Sequence, residues 1–390
     1  MINKIRLTII ALSAASCTWA QSIDNVLESI EHNNTELKSL QKSMESGCLD
    51  IKAQNNLEDP SVEYSPFFNK NISGLASSEL VVSQSFDFPT VYAARNKSIR
   101  LQQNVLQQQY LTARRNILLN AKNLCLDIVY QDKKKEVIDI REKNADHLLK
   151  MFEKRLAVGD ATILEVNKVK LDRMNIATEK TQIENARLAS VQSLTALNNN
   201  IQPQVDGMSY PDSTYDSYKA IYDRAITGDL DIREAQATVS AAAQEIEVNK
   251  KNWIPKFDIG YRRNTDGSEA SNGFMVGATF PIFSSRNKLK AAKARNESEQ
   301  MRLDNVRTNT ENAAKSKISQ LKQLQKTISA YDPDLMMHTL ELLRTAVEKG
   351  EISIIDYYNE AETIYTNLLS KIDLELQYQL LLADICKNEL

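Results

Sequence analysis

Glycine and proline are scarce: ten and eight in 390 residues. The long stretches that lack both are rich in Leu, Ala, Lys, Gln and Glu, and they favour helix by propensity and by lack of interruption. Aromatics reach only 6% and charged residues 25%, which suits long solvated helices better than one thick globular core. Beyond Cys17 the cysteines are Cys48, Cys125 and Cys386, an odd set without close spacing. That excludes a disulfide framework or a zinc site and leaves them as small apolar residues on helix faces. The net charge of −3 gives no suggestion of a nucleic-acid partner. Nucleophile elbow, Walker loop, dinucleotide fingerprint and metal-ligand cluster are all missing, so neither an enzyme nor a cofactor is expected. His32, His147 and His338 fall far apart on predicted helices. Met336-Met337-His338 would point in three directions on a helix and reads as helical filler.

After the first twenty residues no stretch approaches the ~20 apolar residues of a membrane helix, so any membrane entry must use β-strands. Those first twenty read as an export signal. Lys4 and Arg6 precede an apolar stretch from Leu7 to Ala15, and Thr18-Trp19-Ala20 forms a cleavage site before Gln21. A lipoprotein signal using Cys17 is the alternative reading of the same segment.

Between the breakers, residues 90–157 carry apolar positions at three-to-four spacing, from Ile117 and Leu118 to Phe152 and Leu156. At 1.5 Å per residue this helix would run about 100 Å and must pack lengthwise against others. Gly159-Asp160 breaks it, and 161–199 returns with Ile163, Val166, Leu171, Ile183, Leu188, Val191 and Leu194 facing inward. The second half repeats this with 285–348, a turn at Gly350 and a return helix to about Leu382. Pro333 should kink or break the second long helix. Helices at about 23–58 and 216–252 precede two segments of a different period.

In those segments Phe257, Ile259 and Tyr261 alternate with Lys256, Asp258 and Arg262, and Phe274 to Phe280 alternates likewise across the turn Asn264-Thr265-Asp266-Gly267-Ser268. The first copy has Val62 and Tyr64 against Glu63 and Ser65, then Leu80, Val82 and Phe86 against Ser83, Ser85 and Asp87. Each half thus carries one β-hairpin with strands about ten residues long, enough to span a bilayer when tilted. Phe67, Phe68, Phe86, Phe88, Tyr92, Trp253, Phe280 and Phe283 cluster near strand ends, where aromatic girdles sit.

The chain is therefore written twice. Pro60 matches Pro255 and Glu63 matches Asp258 at an offset of 195 residues; the Arg-Asn-Lys triplets at Arg95 and Arg286, and Gly159 and Gly350, match at 191. The expected organisation is a signal peptide (1–20), a first repeat (21–200) with its hairpin at about 60–88, a linker (201–215) and a second repeat (216–390) with its hairpin at about 255–283. Four strands cannot close a barrel, and open edges are not tolerated in lipid. Three chains would pool twelve strands and make a nearly sixfold tube of helices. The expected class is mainly α with a membrane β-barrel part, trimeric, in contact with lipid. The competing reading is a soluble periplasmic coiled-coil scaffold whose hairpins are ordinary caps.

The order helix, hairpin, long helix, Gly turn, return helix, all twice, resembles the outer-membrane efflux family of TolC-like channels. The most specific segment is Arg155-Leu156-Ala157-Val158-Gly159-Asp160-Ala161-Thr162-Ile163-Leu164-Glu165-Val166; Lys349 to Tyr357 is a looser version. Ser83-Gln84-Ser85-Phe86 and Phe280-Pro281-Ile282-Phe283 also resemble the family's passages from strand to helix. The resemblance implies a barrel in the outer membrane, a periplasmic helical tunnel and the exit duct of a tripartite efflux system for small molecules or metal ions. It implies as partners a periplasmic adaptor protein and an inner-membrane pump. It also implies a periplasmic tip with adaptor contacts at Leu156, Val158, Gly159, Thr162, Gly350 and Ser353, and a gate at Asp356. Ile352 and Asn359 depart from the family's gate pattern. Pro333, the looser turn and Asp356 with Ile352 mark the second half as the expected moving part of the gate.

Overall fold

The computed structural model describes residues 23–71, 73–211 and 217–390, so the expected signal, with Cys17 and Ala20, residues 212–215 of the expected linker and residue 216 of the second repeat lie outside the described residues. In chain order the elements are α1 (Ile23–Asn33), α2 (Thr35–Ala53), β1 (Ser61–Phe68), β2 (Leu75–Phe86), α3 (Pro89–Ala157), α4 (Ile163–Leu197), α5 (Tyr218–Thr227), α6 (Leu230–Lys250), β3 (Lys256–Asp266), β4 (Glu269–Thr279), α7 (Lys288–Ile328), α8 (Pro333–Lys349) and α9 (Ile354–Ile385). The 69-residue α3 starts on Pro89, whose missing N–H is one of the donors a first turn leaves unpaired, and runs without glycine or proline.

Two helices expected to be continuous are interrupted, each by a capping side chain, and the second long helix breaks before Pro333 as expected. Asn34 separates α1 from α2 and accepts the Leu37 N–H at 2.8 Å. Gly228-Asp229 separates α5 from α6, with Asp229 accepting the Ile232 N–H at 2.9 Å. Pro333 cannot follow a helical residue comfortably, so α7 ends at Ile328; Asp332 then accepts the Leu335 N–H at 3.0 Å to start α8. Short polar side chains outcompete apolar continuity at these points because they satisfy donors that the helix start leaves open.

The chain divides into two compact units. The first comprises the described parts of Met1–Asn33, Leu124–Ser213 and Met336–Ile372. Its core joins Leu148 and Phe152 of α3, Val166 and Val169 of α4, Val347 of α8, and Ile354, Tyr357 and Tyr365 of α9. The α4 face differs from expectation: Val166, Val169, Asp172, Ile176, Ile183, Ser190, Val191 and Leu194 are buried, whereas Ile163, Leu171 and Leu188 are exposed. Asp172 and Ser190 go inside because Arg141 and Asp127 across the packing hydrogen-bond them, and apolar spacing alone is blind to such partners. Val205 and Met208 of the expected linker are also buried. Cys125 is fully enclosed, and burial pushes its thiol pKa up to about 12.

The second unit comprises Asn34–Asn123, the described part of Thr214–Leu335, and Asp373–Leu390. It holds one antiparallel sheet in the order β1-β2-β3-β4, so the two hairpins join through β2 and β3, with Phe86 opposite Phe257 and Ser77 opposite Asp266. Directly opposed residues share a face. Val62, Val82, Tyr261 and Phe274 are therefore aligned across all four strands, and Ile259 faces Val276 across β3 and β4 one step along. This apolar face is open: Phe274 is 90%, Val276 78% and Val62 69% exposed. The opposite face is largely polar, with Arg262 bonded to Glu79 at 2.8 Å and Ser85 donating to Asp258. Gly260 allows the close approach of β2 to β3, since a Cβ there would lie 2.8 Å from the Val82 carbonyl oxygen. Among the described residues, β1 and β4 have free outer edges.

Candidate functional site

The two glycine turns, both in the first unit, are built alike. After α3, the Gly159 N–H bonds the Leu156 carbonyl at 3.1 Å and the Asp160 N–H bonds the Arg155 carbonyl at 2.8 Å. After α8, Gly350 bonds Val347 at 3.2 Å and Glu351 bonds Ala346 at 2.9 Å. This paired closure requires a left-handed residue at its centre. Gly159 at φ +77° and Gly350 at φ +76° supply it.

Each turn leads into a return helix through a hydroxyl that accepts a first-turn N–H. Thr162 accepts the Glu165 N–H at 3.3 Å while Glu165 reaches back to the Thr162 N–H at 2.6 Å. Ser353 accepts the Asp356 N–H at 3.1 Å, and its hydroxyl donates to the Asp356 carboxylate at 2.7 Å. The spacings Thr162-x-x-Glu165 and Ser353-x-x-Asp356 carry this signature in the sequence. Arg155 reaches from the first turn toward the second. Its Nε donates to Asp160 at 2.8 Å, and its Nη2 lies 3.7 Å from where a Gly350 Cβ would stand.

The predicted tip residues thus divide by role. Val158 is 79% exposed and projects from the turn, with Ile163, Leu164 and Ile355 also exposed nearby in sequence. Gly159 and Gly350 shape the backbone, and Thr162 and Ser353 cap α4 and α9. Leu156 is half-buried against the Phe152 and Val166 core, as is Ile352. Leu156, expected as a contact for a partner, packs part of its side chain against this core. Asp356 is exposed and engaged with Ser353.

A site the sequence reading missed lies deeper in the same unit. Arg141 of α3 donates to Asp172 of α4 at 2.7 Å and to Glu362 of α9 at 2.9 Å, with its guanidinium 5.4 Å from the Tyr365 ring centre. Asn144 donates to the Tyr365 hydroxyl at 3.0 Å. Burial works against the Arg141 charge, yet Asp172, Glu362 and Glu179 outweigh it and hold the pKa above its ordinary value. One cation therefore joins three helices. Its partners lie 31 and 221 residues away, beyond any local spacing rule. Among the described residues, no group of His, Cys, Asp or Glu is arranged to hold a metal ion.

Residues 221–385 match the family model described as outer membrane efflux protein. The nickel and cobalt resistance protein CnrC of Cupriavidus metallidurans is 35% identical over 98 residues, 24% of this chain and 23% of that one. The pyoverdine export outer membrane protein OpmQ of Pseudomonas aeruginosa is 22% identical over 272 residues, 66% of this chain and 55% of that one. The matched stretches thus span less than a quarter and about half of these relatives. In fold, the outer membrane protein VceC of Vibrio cholerae superposes with a TM-score of 0.75 at 15% identity, covering 94% of this chain and 95% of that one.

Proposed function

We propose that this chain is an outer membrane efflux protein, as the match over residues 221–385 supports, and that it is a passive outer-membrane channel and the exit duct of a tripartite efflux system. The observation that carries this reading is the sheet. Its apolar face is exposed across four strands, and its outer edges are free. Water would penalise such a face, whereas lipid would accept it. Lipid in turn does not accept open strand edges, so copies of the chain must pair β1 with β4. Three copies give twelve strands, an allowed barrel size. The helices then form the periplasmic tunnel, with Val158, Thr162, Ser353 and the backbone at Gly159 and Gly350 meeting an adaptor protein. An inner-membrane pump supplies the energy. The names of CnrC and OpmQ point to metal ions and small secreted molecules as the cargo class. The chain is a conduit, not an enzyme.

Membrane fractionation followed by gel analysis with and without heating tests the reading. A membrane-bound oligomer that dissociates on boiling is expected; recovery as a soluble monomer without detergent overturns it.

The gate role rests on Asp356, which is exposed at the start of α9. Three such carboxylates around one axis would draw cations to the mouth. Asp356→Asn should lower cation preference in planar-bilayer recordings while retaining the N-cap contact through the amide oxygen. Unchanged selectivity would remove Asp356 from the gate and leave it as a cap.

A further inference from the structure

The twin Arg-Asn-Lys triplets find no role in the turns or in the sheet. Arg95-Asn96-Lys97 and Arg286-Asn287-Lys288 stand where α3 and α7 leave the sheet. Both departures, after Phe86 and after Thr279, lie at the same sheet end, because Phe86 opposes Phe257 and Thr279 opposes Lys256. The surrounding sequence lacks counter-charge: no Asp or Glu occurs from Phe88 to Leu126 or from Ala270 to Asn296. In a chain with net charge −3 this is a local inversion of sign.

A groove of about 470 Å³ opens at this sheet end, lined in part by Arg95, Lys251, Lys256 and Lys288. Asp87 bonds Arg95 at 2.6 Å, and Glu58 bonds Lys256. Glu247 is near enough to feel Lys251 but is itself bonded to Lys250 at 2.7 Å. Lys251 donates to the Thr90 carbonyl at 3.1 Å. Among the described residues, neither Lys251 nor Lys288 has an ion-pair partner of its own. Phe280 and Phe283 line the same groove and are 63% and 88% exposed, with Trp253 beside it at 72%. Surplus amines next to exposed aromatics, continuous with an apolar sheet face, match a lipid surface in charge and in polarity.

We propose that this groove binds the phosphate headgroup of an anionic glycerophospholipid, with Lys251 and Lys288 holding the phosphate and Phe280 and Phe283 lying against the upper acyl chains. The proposal rests on the membrane-channel reading and places this sheet end at the periplasmic leaflet. The duplication then has a consequence for binding, since each half delivers one basic triplet to the same rim.

The test uses the full chain, delipidated in detergent, with native mass spectrometry counting bound phosphatidylglycerol against phosphatidylcholine. The wild type should prefer phosphatidylglycerol, and Lys251→Gln with Lys288→Gln should weaken that binding about tenfold. Lys251→Arg with Lys288→Arg should keep it. Equal phosphatidylglycerol binding by the wild type and the glutamine variant overturns the proposal. Displacement of the lipid by millimolar inorganic phosphate would assign the groove to a free anion instead, and also overturns it. Flotation with phosphatidylcholine vesicles separates the two readings. A wild-type chain that floats but shows no headgroup preference defeats only the groove assignment, whereas one that fails to float defeats the membrane reading beneath it.

Discussion

Replacing Arg141 by alanine is expected to destabilise the first unit by about 3–5 kcal/mol, the usual cost of removing one partner from a buried ion pair. The Asp172 side chain is only 8% exposed and would be left charged without a partner. Glu362 and Glu179 add less, because their side chains are 59% and 40% exposed and water screens them. Arg141→Lys should recover only part of the loss, since a single ammonium cannot span Asp172 and Glu362 as a planar guanidinium does. Removing both charges, with Arg141→Met and Asp172→Leu, should return stability to near wild type. Thermal and urea unfolding followed by circular dichroism would read these differences. An Arg141→Ala variant as stable as wild type would show that the pair contributes nothing and that apolar contacts alone join α3, α4 and α9. In the proposed channel, because Arg141 holds α9 against α3 and α4, an opening movement of α9 would either carry these helices together or break the Glu362 contact.

Gly159→Val should abolish efflux while leaving the membrane oligomer assembled. A Cβ at Gly159 meets nothing within 4 Å, so the damage would come from the backbone and not from a clash. At φ +77° an L-residue pays about 1–2 kcal/mol, and a β-branched one is a genuine outlier there. The paired hydrogen bonds closing α3 would then yield, displacing Val158 and the Thr162 cap together. The four strands belong to the other unit and should be unaffected. Gly159→Asn makes the decisive comparison, since asparagine tolerates left-handed backbone. Efflux retained by Asn and lost by Val would assign the effect to turn geometry. Efflux retained by both would withdraw the tip from the adaptor contact. Susceptibility of cells to exported compounds, alongside heat-sensitive oligomer on gels, provides both readouts.

Much of this could be read along the chain. Gly159 and Gly350 located the turns because only a residue without Cβ enters the left-handed region freely. Alternation around Ile259 and Val82 located the strands, because successive side chains in a strand point to opposite faces. The capping pairs Thr162 with Glu165 and Ser353 with Asp356 were equally legible by spacing and were passed over. The interruptions at Asn34 and Asp229 went unread for a related reason: attention to apolar period hides short polar residues whose effect depends on one backbone donor.

What the sequence determined by itself is the set of elements and their duplicated order, since backbone preference, capping and period act over a few residues. Tertiary structure alone decided that β2 pairs with β3, joining halves of the chain whose contacting residues lie some 170–190 positions apart. It likewise decided that Asp172 and Ser190 face inward on α4 while Leu171 and Leu188 face out, and that Arg141 meets Glu362. Those outcomes depend on partners distant in sequence. A buried charge is tolerated only where its counter-charge arrives, and nothing within one helical turn of either residue records that it will.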